Sequence, residues 1–188
     1  MSQRRTAVET REMIFEACSN ILRRDGLASL TLDAVAEAAG LSKGGLLYHF
    51  PSKVALIEGL FEYHNDIFEL RLQELAAAEG DDPGAWLRAY AKASVEQITD
   101  PDCASLYVSL FAAEERYASA HQLMRQKYVR WQQQVEVSGL DPALATLVRL
   151  AVDGLWFAEM HRYAPPLSER REIIVDLILQ LTKNSDIL

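Results

Sequence analysis

The sequence predicts an all-α protein of about nine helices, with an N-terminal three-helix head containing a helix-turn-helix in residues 1 to 53 and a C-terminal helical body in residues 54 to 188. Two observations carry this. Apolar residues recur three and four positions apart in nearly every segment, the period that places them on one helix face, and strand-like alternation is scarce. The segments are separated by clusters that stop helices, among them residues 79–83, 100–101, 139–142 and 165–166. At 188 residues and 49% hydrophobic composition, the chain can bury a small head core and a larger body core.

The first helix carries Arg11, Ile14, Phe15, Ala17 and Leu22 and closes at Arg24, Asp25 and Gly26. Thr31 announces the second, because its hydroxyl can accept from an unpaired backbone N–H, and Asp33 adds negative charge to that first turn. Leu32, Val35, Ala36 and Ala39 give the helix one buried face, and Gly40 can take the positive φ that ends it sharply. Leu41 is placed to plug the space between the helices. Ser42 caps a third helix running from Lys43 to Phe50, which Pro51 stops. Length, turn and caps are those of a helix-turn-helix. Gly44 and Gly45 each cost the third helix about 1 kcal/mol relative to alanine. Either they let backbone and Lys43 approach base edges and phosphates, or they let the helix pack closely on its neighbours.

The body reads as helix after helix. Lys53 to about Ala78 carries Leu56, Leu60, Phe61, Ile67, Phe68, Leu72 and Leu75, a helix long enough to link head and body. Further helices are expected near Ala85 to Thr99, Cys103 to Glu114, Ala118 to Ser138, Pro142 to Tyr163 and Leu167 to Lys183.

The formal charge of −8 is uneven. Residues 1 to 53 hold seven Lys or Arg against six Asp or Glu, a net of +1 that leaves −9 on the remainder. A near-neutral head can bind DNA through a few placed cations, while an acidic body is repelled from the duplex. Arg4 and Arg5 form a basic pair that either reaches a phosphate or is simply solvated. No segment approaches the roughly 20 apolar residues of a membrane span, and no export signal is visible, so a cytoplasmic location is expected. Cys18 and Cys103 lack metal or redox spacing and read as buried thiols, and His64, His121 and His161 lie too far apart for a metal motif. Neither a phosphate-cradling loop nor a nucleophile elbow is present, so neither enzyme activity nor a cofactor is expected.

The stretch from Thr31 to Lys53, TLDAVAEAAGLSKGGLLYHFPSK, resembles the DNA-binding signature of the TetR family of bacterial transcriptional regulators. The similarity covers roughly the first 60 residues and beyond them extends only to length and helical character. The resemblance implies contacts to double-stranded DNA from Thr31 and Ser42 at helix starts, from Lys43, Gly44 and Gly45, and from Leu47, Tyr48, His49 and Lys53. Chemistry fits these roles. Tyr48, His49 and Lys53 offer a phenol, an imidazole and an ammonium for phosphates. Lys43 can bridge guanine O6 and N7, and Leu47 can meet a thymine methyl.

In this family the last two helices meet their copies in a homodimer. Leu147, Leu150, Ala151, Gly154, Leu155 and Ala158 make one stripe, and Ile174, Leu177, Ile178 and Leu181 make another, with Ile173 beside it. A dimer implies a palindromic operator. Trp86, Tyr90, Tyr107, Phe111, Met124, Tyr128, Trp131 and Trp156 recur across the central helices and fit either an apolar or aromatic effector or an ordinary core. Asp153 is expected to bond a neighbouring chain or, alternatively, a ligand cation. The expected function is a ligand-responsive regulator, most simply a repressor released by its effector. The competing expectation is a helical binding or carrier module whose head does not read DNA.

Overall fold

A computed structural model describes residues 6–183. Within them the chain forms nine α-helices and no strand: α1 (Ala7–Asp25), α2 (Leu32–Ala38), α3 (Lys43–His49), α4 (Lys53–Glu79), α5 (Ala85–Thr99), α6 (Pro101–Arg116), α7 (Ala118–Glu136), α8 (Pro142–His161) and α9 (Ser168–Leu181). A single 3₁₀ turn, Leu27–Ser29, joins α1 to α2. The basic pair Arg4 and Arg5 lies outside the described residues. Among those described, no helix is long and apolar enough to cross a membrane.

Local chemistry sets most helix starts. Thr6 and Glu9 form a reciprocal capping box at α1, with Glu9 N–H donating to Thr6 Oγ1 and Thr6 N–H to Glu9 Oε2. Thr31 accepts from Ala34 N–H at 3.1 Å and Ser42 from Gly45 N–H at 3.1 Å, as their positions in the sequence require. Gly40 ends the α2 region at φ +63°. One helix is longer than expected. Asp100 and Pro101 read as a break, yet Asp100 Oδ1 accepts from Asp102 N–H at 2.9 Å and α6 starts at Pro101 itself. Proline has no N–H to lose in a first turn, so the pair starts a helix rather than interrupting one.

The chain divides into two compact units. The first comprises residues up to Asn65 with Ser105–Met124. Its core joins Ile14, Phe15, Cys18 and Leu22 of α1 to Val35, Leu46 and Phe50, to Leu56, Ile57, Leu60 and Phe61 of α4, and to Leu106, Leu110 and Ala113 of α6. This core therefore runs past residue 53 into the first turns of α4 and recruits α6. Residue 53 marks the end of the helix-turn-helix rather than of its packing.

A buried polar contact ties α1 to α4 in this unit. Ser19 Oγ lies 2.8 Å from both the Phe15 carbonyl oxygen and His64 Nε2. A serine hydroxyl has one proton, so both contacts are satisfied when it donates to the carbonyl and accepts from a neutral His64 bearing its proton on Nε2. Burial, helped by the nearby Arg23 charge, lowers His64 from its ordinary 6.5 to about 4. The unfolded chain then binds more protons between these values, so stability is complete above about pH 7 and falls as pH drops toward 4. The expected loss is about 3 kcal/mol. His64→Gln should flatten the pH dependence of urea midpoints by that amount over pH 7 to 4; an unchanged slope contradicts the assignment. Burial likewise pushes the Cys18 thiol up to about 12, which keeps it protonated and inert. Cys103, expected to be buried, is only half-buried.

The second unit comprises Asp66–Ala104 and residues from Arg125 onward. Phe68 and Leu72, Leu87 and Tyr90, Trp131 and Val135, and Val148 and Val152 form its core with Ile178. Arg88, 5% exposed, fastens it by donating to Glu79 at 2.6 Å and to the carbonyls of Pro83 and Thr182 at 2.9 and 3.1 Å. Lys92 and Arg88 together hold the Glu79 carboxyl below its ordinary range.

Candidate nucleic-acid interface and effector cleft

The proposed reading helix α3 is anchored by two core side chains, Leu46 at 0% and, just past its end, Phe50 at 2% exposure. Its other face is open. Tyr48 is 85% exposed, so its ring fills no core, and it lies edge-on to His49 with centroids 5.2 Å apart. Lys43 projects from the first turn and pairs with Asp33 of α2 at 2.9 Å. Both partners are well exposed, so the pair contributes about 0 to 1 kcal/mol and a phosphate or base can displace it.

The two glycines differ. A Cβ at Gly45 would lie 3.3 Å from Ser42 Oγ, so close approach to the cap explains that residue in part. At Gly44 a Cβ would meet nothing within 4 Å. Packing therefore does not explain Gly44, although it weakens the helix. Thr31 and Ser42 are exposed at the starts of α2 and α3, and Leu47 and His49 are half-buried. Lys53, at the start of α4, is held below its ordinary pKa by partial burial and by the Arg116 charge. The expected DNA-contacting residues thus fall on α3 and on the starts of α2 and α4. Arg11 of α1, which was not among them, reaches the end of the same helix.

The expected effector residues are divided between the two units. Trp86, Tyr90, Tyr128 and Trp131 gather in the second unit around Phe68: Trp86 stacks on Tyr90 at 5.3 Å, and Trp131 contacts Tyr90 at 5.6 Å, Tyr128 at 4.9 Å and Phe68 at 5.4 Å. Trp156, in the same unit, donates to Gln97 at 2.9 Å. Tyr107, Phe111 and Met124 belong to the first unit, where Tyr107 faces His64 and Met124 Sδ accepts from Asn65. Helical period alone assigns side chains to a face and leaves the partner of that face undetermined.

A cleft of 560 Å³ opens beside the aromatic group, lined by Asp66, Glu69 and Gln73 of α4, Lys127, Arg130 and Gln134 of α7, and the rings of Trp86 and Trp131. Trp131 donates its indole N–H to Glu69 at 2.7 Å, and Lys127 lies 3.6 Å from Asp66. These polar residues were missed, though their signal was present: Asp66, Glu69, Gln73 and Lys127, Arg130, Gln134 share the same three-then-four spacing on two helices. Asp153 accepts within the chain from Tyr90 Oη at 2.6 Å and from Arg149 at 2.5 Å. Burial raises its pKa against both partners and pushes Tyr90 well above its ordinary value.

On α8 and α9 the stripes separate into two sets. Leu147 is 59% exposed and Leu150 52%, Ala151 and Gly154 are exposed, and Leu177 of α9 is 54% exposed. Ile173, at 60%, lies with Leu177 on the outer face of α9. Leu155 and Ile178 are instead buried within the unit, Ile174 and Leu181 pack partly against its core, and Ala158 is half-buried. Each stripe thus serves two faces, and the outward one is narrower than the sequence pattern implied.

Comparison with known proteins meets this geometry at both ends of the chain. Residues 84–183, more than half of the chain, match the family described as tetracyclin repressor-like, C-terminal domain. Residues 14–60 match the bacterial regulatory proteins of the tetR family. The chain belongs to the TetR family. Among curated relatives, AcrR, a transcriptional regulator of Shigella flexneri, is 33% identical over 76 residues, 40% of this chain and 35% of AcrR. The chain therefore spans about a third of that relative's length in the match. Over the whole fold, a TetR transcription regulator from Haloarcula marismortui superposes with a TM-score of 0.73 at 18% identity, covering 94% of this chain and 97% of the other. The multidrug binding protein EbrR, solved with ethidium, superposes at 0.70 with 20% identity, covering 92% and 98%.

Proposed function

We propose that this TetR-family chain is a DNA-binding transcriptional repressor that acts as a homodimer on a palindromic operator and is released by a small apolar or aromatic effector. The observation that carries the reading is the outward face of α3. Gly44 weakens a short helix without relieving any contact, and Tyr48 and Lys43 project beside it with no core role. Such a surface is economical only where a major groove comes close.

In functional terms residues 1 to 53 read DNA and residues 54 to 188 sense and dimerise. A two-fold dimer sets its reading helices about 34 to 36 Å apart, one turn of DNA. An effector lying in the cleft would place an aromatic face on Trp86 and polar groups against the amides and charges of α4 and α7. Because α4 is one helix from Lys53 to Glu79, it begins at the reading head and also lines the cleft. An effector that prefers one setting of α4 shifts the operator-binding equilibrium by its differential affinity, typically about 1 to 3 kcal/mol.

Gly44→Leu separates DNA approach from packing. The side chain enters open space, so the melting temperature should hold or rise, while affinity for operator DNA drops by about tenfold or more. Lys43→Ala should weaken DNA binding by about 1 to 3 kcal/mol and relax sequence preference. If Gly44→Leu binds DNA as the wild type does, the reading face of α3 has been misassigned.

A further inference from the structure

We propose that Arg11 is a positioning residue for DNA reading: it holds the C-terminal end of α3, and with it Tyr48 and His49, in the orientation that a groove requires. The inference rests on the DNA-reading function proposed above. Helix α3 has seven residues, two of them glycines, and its buried anchors Leu46 and Phe50 fix the inner face only. The last turn, where Tyr48 and His49 leave the surface, needs a constraint of its own.

Arg11 supplies it from α1. Its guanidinium carbon lies 4.4 Å from the centroid of the Phe50 ring and 5.6 Å from that of Phe15, and Nη1 reaches the His49 carbonyl oxygen at 3.5 Å. A planar guanidinium can stack on a ring and still donate in its own plane, which an ammonium cannot do. Its charge also faces the helix end where unpaired carbonyls concentrate negative potential. Among the described residues no carboxylate lies within salt-bridge distance of Arg11. Phe50 is 2% exposed and packs so closely on α4 that an added Cβ at Gly59 would stand 2.9 Å from its Cε1. The ring is a fixed platform, and Arg11 fastens the end of α3 to it.

Arg11→Met keeps the length of the side chain without charge or fork, and Arg11→Lys keeps the charge alone. The probe is the duplex that the wild type enriches from a randomised library, beside a scrambled duplex of the same length. Both variants should speed amide exchange over residues 48–50 while leaving α2 unchanged. Both should also cut the ratio of enriched to scrambled affinity about tenfold, with scrambled binding and its salt slope retained. Unchanged exchange together with an unchanged ratio overturns the proposal. So does a parallel loss on both duplexes with a shallower salt slope in Arg11→Met alone, which makes Arg11 a phosphate ligand. If the wild type enriches no duplex, DNA reading itself is refuted and the positioning role falls with it, whatever the exchange shows.

Discussion

Alanine at Gly84 is expected to destabilise the protein by about 3 kcal/mol or more, whereas alanine at Gly80 should cost about 1 kcal/mol. The two residues have almost the same φ, +77° and +80°, in the positive range that costs an L-residue with a Cβ about 1 to 2 kcal/mol. They differ in what surrounds them. A Cβ at Gly80 meets nothing within 4 Å. One at Gly84 would stand 2.5 Å from the Thr182 carbonyl oxygen and 3.0 Å from Leu140 Cδ1. That carbonyl is backbone at the end of α9 and accepts from the buried Arg88, so it cannot retreat without opening the Arg88 contacts. Urea midpoints for the matched pair read the difference directly. Equal costs would mean that α9 moves freely against the start of α5.

The second large effect is expected at Leu150. A charge there, as in Leu150→Glu, should weaken self-association by about 3 kcal/mol, more than about a hundredfold in dimer dissociation constant, while leaving the monomer fold intact. Leu147, Leu150, Ala151 and Gly154 form an outward ridge on α8 whose middle is small, and Leu177 continues the apolar face on α9. A Cβ at Gly154 would meet nothing within 4 Å inside the chain, so a second helix has room to approach closely. Sedimentation velocity across a concentration series measures the shift, and Leu155→Glu serves as the contrast. Leu155 is 9% exposed within the unit, so its replacement should unfold the chain rather than split a dimer. If Leu150→Glu sediments as the wild type does, this ridge is not the self-association face.

Helix identity was legible wherever a cap and a period agreed. Thr31, Gly40, Ser42 and Asp141 do in space what their types dictate, Asp141 accepting from Ala143 and Leu144 N–H at 2.9 and 3.0 Å. The start of α6 was misread because an Asp-Pro pair both ends and begins helices, and only the direction of the Asp100 hydrogen bond decides between them. Within the reading head Tyr48 stands exposed on α3, while Phe50, extended just past the end of that helix, is buried. The central aromatics were less legible. Trp131 and Tyr107 have the same periodic surroundings in sequence, yet one lines the cleft and the other packs beside His64. Which helices neighbour one another is a long-range property, and it decides what a ring faces.

The core beneath the reading helices is closed by Leu106, Leu110 and Ala113, residues that follow all of α5 in the chain. A ribosome therefore releases the complete helix-turn-helix well before the residues that seal its underside. Until α6 emerges, the nascent head presents an apolar surface to the cell. Transplanting this head to another protein accordingly requires carrying α6 with it or redesigning the face that α6 covers.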